Sequence, residues 1–184
     1  MEFYNDTFME YLIKKKKETK DWAFVVLLAV AGVVFTALMI AVMFYMVIAG
    51  QGSIGTPLGL VIIAFAWYGV YLLVSMRNVE YEYILTNSAM DIDKVMSKKG
   101  RKHLVSWDFK EIEICANVDD AEHKYEYNNP PSKVYDLTGD KSRGGVYFVD
   151  YESEDEGRVR VLFQPTSKII ETARKYNMRK IFVM

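Results

Sequence analysis

Residues Trp22–Met76 read WAFVVLLAVAGVVFTALMIAVMFYMVIAGQGSIGTPLGLVIIAFAWYGVYLLVSM, a stretch without a single Asp, Glu, Lys or Arg. One segment interrupts it, Ala49-Gly50-Gln51-Gly52-Ser53-Ile54-Gly55-Thr56-Pro57, whose glycines and proline are turn formers. Apolar runs of 27 residues (Trp22–Ile48) and 19 residues (Leu58–Met76) flank the break. At ~1.5 Å per residue they reach about 40 Å and 28 Å as helices, against a hydrocarbon core of roughly 30 Å. The stretch predicts a transmembrane helical hairpin. A core helix of a soluble domain would be shorter and amphipathic, and a secretory signal would end after about 7–15 apolar residues.

Charge on the flanks sets the expected topology. Lys14, Lys15, Lys16, Lys17 and Lys20 precede the first span, the connecting segment has no Lys or Arg, and Arg77 follows the second. The positive-inside rule then puts both termini in the cytoplasm, with the short loop outside. Trp22 suits an interfacial anchor. Residues 1–21 read as a juxtamembrane amphipathic helix, because Thr7 and Glu10 have capping-box spacing and Phe8, Tyr11 and Leu12 share one helical face. Inside the spans, Gly32/Thr36 and Ala37/Ala41 have small-xxx-small spacing, and Gly59, Ala66 and Gly69 offer small residues opposite. Trp67, Tyr68 and Tyr71 carry polar atoms that need partners at that depth.

After Arg77 the apolar period becomes two. Strands are expected at residues 79–86, 90–96, 102–107, 110–116, 134–137, 145–151 and 158–164, with a long polar loop over 117–133. Pro165-Thr166-Ser167 then opens an amphipathic helix ending at Asn177, and Ile181-Phe182-Val183 adds a short strand or packs. The fold class is a membrane α-helical hairpin plus an α+β, mainly-β soluble domain over 77–184. Seven antiparallel strands followed by one helix is the order of a PH-like barrel, and the periodicity equally allows other small antiparallel α+β domains.

Tyr83-Ile84-Leu85-Thr86-Asn87 followed by Met90-Asp91-Ile92-Asp93, directly after a helical hairpin, resembles bacterial membrane proteins with a PH-like domain. Asp6-Thr7-Phe8-Met9-Glu10-Tyr11-Leu12-Ile13-Lys14-Lys15 and Trp107-Asp108-Phe109-Lys110-Glu111-Ile112-Glu113 are similar to a family of two-pass proteins of this kind from Gram-positive bacteria. The resemblance covers nearly the whole chain. Its motifs are structural, and it carries over no reaction, ligand or functional residue.

Residues 77–184 hold 18 basic and 19 acidic groups, a balance unlike the basic excess of a nucleic-acid surface. Cys115 is the only cysteine, which fits a reducing compartment and allows no intrachain disulfide. Asp91 with Asp93, and Glu111 with Glu113, would each share a strand face, as alternation on a half-exposed strand already explains. His103, His123 and Cys115 match no zinc spacing and no Cys–His nucleophile signature, so no metal, cofactor or catalytic residue is assigned. The turn Lys98-Lys99-Gly100-Arg101-Lys102-His103 is the most suggestive feature. Lys98, Lys99, Arg101 and Lys102 could contact phosphate or an anionic lipid surface; the same turn also serves as a solvated, solubilising one. In eukaryotic PH domains such a hairpin reads phosphoinositides, so the resemblance implies at most nonspecific headgroup contact here.

The expected function is a non-enzymatic, membrane-anchored binding or scaffolding module. Its partners would be the bilayer and either a protein or a second copy met through the hairpin. The alternative is a small oligomeric transport or channel component. A pore needs a polar stripe, for which the spans offer Thr36, Tyr45, Tyr68 and Tyr71, and they hold no ionisable carboxylate, Lys, Arg or His.

Overall fold

The computed structural model describes residues 7–96 and 100–183. The chain divides into two compact units, residues 17–78 and a second unit built from residues 1–16 together with 79–184.

The first unit is a pair of helices, α1 (Thr19–Ile48) and α2 (Gly52–Ser75), long and apolar enough to cross a membrane. A reciprocal capping box starts α1: the Glu18 side chain accepts from the backbone of Asp21, and the Glu18 N–H donates to Asp21 Oδ2 at 3.1 Å. The connection is shorter than the expected 49–57. Gly50 turns at φ 76° and α2 resumes at Gly52, so Pro57 falls inside the helix. A reversal of two to five residues suffices between antiparallel helices, and the following Gly, Ser and Thr do not prevent a helix from starting.

Glycine notches seat the two helices. A Cβ on Gly59 would stand 2.7 Å from Met43 Cγ and Sδ, and one on Gly55 would stand 3.0 Å from Met46 Cβ. Gly32 lies beneath the Trp67 ring, whose Nε1 donates to Thr36 Oγ1 at 3.1 Å while Thr36 donates to Gly32 O at 2.8 Å. Trp67 thus finds its partner inside the pair. Gly69, expected as a packing residue, has no heavy atom within 4 Å of its would-be Cβ and plays no such part. At the base, Arg77 Nη1 meets Asp21 Oδ1 at 3.3 Å and the guanidinium covers the Phe24 ring.

The second unit opens with a correction. Phe8–Lys14 is a strand, β1, and not a helix. It pairs antiparallel with β2 (Val79–Thr86), Phe8 opposite Thr86 and Lys14 opposite Glu80. The segment satisfies both periods, and what decides is that Met9, Tyr11 and Ile13 can join the core beside β2. Thr7 is no helix cap either: its N–H donates to Asn87 Oδ1 and its carbonyl accepts from Asn87 N–H. Beyond β1, Lys15 N–H donates to Val79 O and Lys16 N–H to Gly139 O, both at 3.0 Å. The helical hairpin is therefore the connection between two adjacent strands of one sheet.

β3 (Ala89–Met96) and β4 (Gly100–Asp108) complete a sheet of order β1-β2-β3-β4. β5 (Ile114–Asn117), β6 (Lys133–Asp136), β7 (Tyr147–Ser153) and β8 (Gly157–Phe163) form a second, of order β5-β7-β8-β6. The described residues thus contain eight strands rather than seven, and β6 runs parallel to β8, so the sheets are not wholly antiparallel. The expected strand 110–116 shrinks to β5, preceded by a turn that buries Phe109 and Ile112. The expected loop over 117–133 contains a short helix, α3 (Lys124–Asn128). Ile181 makes a parallel bridge to Cys115, settling the C-terminal segment as a strand-like addition.

One core joins the sheets. Trp107 stacks on Tyr151 and meets Phe109 and Phe163 edge-on, with centroids 5.5–5.8 Å away. Helix α4 (Ser167–Tyr176), capped by the Thr166 side chain, adds Ile169, Ile170 and Ala173.

Candidate functional site

The outer face of the β1–β4 sheet is the candidate, because Glu80 and Glu82 are buried there, on the side turned away from the core. Register arranges them in rungs: Lys14, Glu80, Val95 and Arg101 across the sheet, then Leu12, Glu82, Asp93 and His103. Glu10 lies on the same face, opposite Ile84. Alternation brings these side chains together, since the intervening Tyr81 and Tyr83 point into the core.

Glu82 is 1% exposed, yet it faces away from that core. Its Oε1 takes Arg101 Nη2 at 3.1 Å, and its Oε2 is buried without a hydrogen-bond partner. Burial holds the Glu82 carboxyl above the usual carboxylate range; the neighbouring Glu10 carboxyl adds to this and Arg101 opposes it. Glu80 is buried beside it, with Lys14 Nζ 3.7 Å away.

Of the basic turn, Lys98 and Lys99 lie outside the described residues. Arg101 is committed to Glu82, Lys102 lies opposite Lys94, and His103 Nδ1 meets Asp93 Oδ1 at 3.0 Å. In the described half of the turn Arg101 and His103 thus each meet a carboxylate, while Lys102 faces another lysine.

The other sequence candidates are dispersed. Asp91 and Asp93 belong to the outer face just described. Glu113 pairs with Arg158 Nε at 2.7 Å, while Glu111 sits in the turn before β5, so the two do not share a strand. Cys115 is fully buried in the core, and burial together with Asp150 pushes its thiol pKa upward, which leaves it unreactive. His123 caps a turn with Asp120 Oδ2 at 2.9 Å and stacks on Phe182. Among the described residues no group of three or more His, Cys, Asp or Glu is placed to hold a metal ion.

Sequence reading missed the strongest polar cluster in the unit. Arg160 on β8 is 1% exposed and forks onto Asp150 of β7, Nε to Oδ1 at 2.6 Å and Nη2 to Oδ2 at 2.7 Å. Its guanidinium also donates to the carbonyls of Glu126 and Tyr127 and lies over the Phe148 ring at 4.6 Å. The pair therefore pins α3 to the outer face of the second sheet. The available signal was Arg158-Val-Arg160 facing Asp150 across a hairpin, which pattern alone does not separate from surface charge.

Over residues 5–183 the chain matches the family described as bacterial PH-like domain (DUF6106). No curated protein and no solved structure matches it.

Proposed function

The chain belongs to this family of bacterial PH-like domains, and from that premise we propose that it is a membrane-tethered, non-enzymatic binding or scaffolding module. In this reading α1 and α2 cross the inner membrane of a Gram-positive bacterium twice and both termini lie in the cytoplasm. The observation that carries it is the pairing of β1 with β2 around the hairpin. Two strands of one sheet must lie on one side of a membrane, so whatever connects them has to leave and return on that side. The lysines at 14–17 and 20 favour the cytoplasmic side. Tethering raises the local concentration of the domain at the bilayer, so weak contacts with lipid, a protein or a second copy become effective. Lys102, with Lys98 and Lys99, remains the proposed lipid contact. The transport reading weakens because Thr36 is already spent on Trp67 and Gly32.

Cysteine labelling tests the topology. Gln51 is exposed in the connection and Lys124 is exposed on the β unit, whereas buried Cys115 would stay silent on either side. In sealed cells an impermeant thiol reagent should label Gln51→Cys and not Lys124→Cys; the reverse pattern overturns the reading. Crosslinking in intact cells from Lys124→Cys then identifies the neighbour.

A further inference from the structure

The cleft on the outer face of the β1–β4 sheet has a volume of about 550 Å³, within the range of small-ligand sites. Glu82 forms its most buried wall, and the unpartnered Oε2 belongs to that side chain. A buried acceptor left without a donor is costly, more so when it carries charge. Charge counting points the same way. Glu10, Glu80 and Glu82 line the cleft, and Arg101 with the neighbouring Lys14 brings two positive charges against their three negative ones. Asp93 Oδ1 is engaged by His103 Nδ1 at 3.0 Å. Among the described residues the site is short of one donor and one positive charge at the same place.

The shape of the deficit says what would fill it. A bare metal ion needs several converging oxygen ligands, and the described residues offer no such group. Leu12 and Val95 wall the same cleft with aliphatic carbon, a surface suited to a hydrocarbon stem. Deepening the binding-module reading and resting on it, we propose that this cleft binds an organic monocation, an ammonium or guanidinium head on an aliphatic stem. The head donates to Glu82 Oε2 between Glu10 and Glu80, and the stem lies on Leu12 and Val95. Such a group comes either as a free amine or as a lysine or arginine side chain of a protein. The competing occupant of the gap is a proton shared between Glu10 and Glu82.

Calorimetry on the purified full chain in uncharged detergent decides among these. The probes are n-butylammonium, n-butylguanidinium, the tripeptide acetyl-Ala-Lys-Ala-amide and Mg²⁺. Saturable binding of an organic cation is expected, weakened tenfold or more in Glu82→Gln, severalfold in Glu80→Gln and in Leu12→Ala, and unchanged in Asp155→Asn. Tighter binding of the tripeptide than of butylammonium assigns the source to a protein side chain; the opposite order assigns it to a free amine, and both support the site. Absence of binding, binding insensitive to Glu82→Gln, or a preference for Mg²⁺ overturns it. Failure here leaves the tethered-module reading intact, because sidedness of labelling decides that one.

Discussion

The two sheets of the β unit each bury an acidic side chain that meets an arginine on the face turned away from the shared core, and they treat it in opposite ways. On the second sheet, Arg160 and Asp150 are sealed under α3, with the guanidinium's nitrogens engaged by Asp150 and two carbonyls. On the first, Glu82 keeps one oxygen unmatched and its partner Arg101 is 64% exposed on its side chain. A fully satisfied buried pair fixes a structure, whereas a half-satisfied one stores a cost that an incoming group can relieve. One face is closed architecture and the other is an open site.

The largest expected effect tests whether β1, which carries Glu10 and Leu12 of the open face, belongs to the sheet at all. Residues 79–183 alone should lose stability on the order of 5 kcal/mol, from three partly buried side chains and the edge pairing of β2. That loss is comparable to the whole stability of a small domain. Joining Lys15 to Val79 through Asn-Gly should restore folding, because the two residues already pair and a two-residue turn closes such a hairpin. Chemical denaturation of the two versions decides. Equal stability would remove β1 from the argument.

Next in size is the closed face. Arg160→Ala should cost about 3–5 kcal/mol, since it leaves the buried Asp150 carboxylate with only Arg158 Nη2 at 3.3 Å and releases α3. Hydrogen exchange at Lys124–Asn128 should rise with it, and a loss below about 1 kcal/mol would mean the pair is not the pin. A third and smaller effect concerns Gly139, where any Cβ would collide with Ile13 and approach Lys14 O at 2.9 Å. Gly139→Ala should cost about 1–3 kcal/mol through overpacking, with faster exchange confined to β1 and its neighbour β2.

Much of this fold was legible because its signals are local. Absence of charge over Trp22–Met76 and alternation after Arg77 need no knowledge of distant neighbours, and the strands at 79–86 and 157–163 fall within a residue of expectation. β1 is not legible in this way, because Phe8–Lys14 fits the helical and the strand period at once.

 Its choice is made by pairing with Val79–Thr86, a contact that lies across the whole hairpin. The open face was hidden for a related reason. Glu10, Glu80, Glu82 and Arg101 are far apart in the chain, and each alone reads as ordinary surface charge until the register sets them side by side.

The smallest effect carries the sharpest sign. Because the Glu82 carboxyl is held above the unfolded value of 4.5, its ionisation opposes folding. That opposition is absent below the unfolded pKa and grows as the pH rises through the folded one. Glu82→Gln should therefore be more stable than the wild type at pH 7, and the two should converge as the pH falls below about 4.5. Losing the ion pair with Arg101 works against this, but an exposed arginine contributes only about 0–1 kcal/mol. The glutamine amide keeps an oxygen for Arg101 and gains a donor for Glu10. Thermal denaturation of the full chain across pH 4–8 measures the difference. A variant less stable than the wild type at pH 7 would mean that Glu82 is closed architecture like Asp150, and the contrast between the two faces would fall. If the variant is more stable, added n-butylammonium should narrow the gap by stabilising the wild type alone, since only Glu82 presents the charged oxygen that the cation needs.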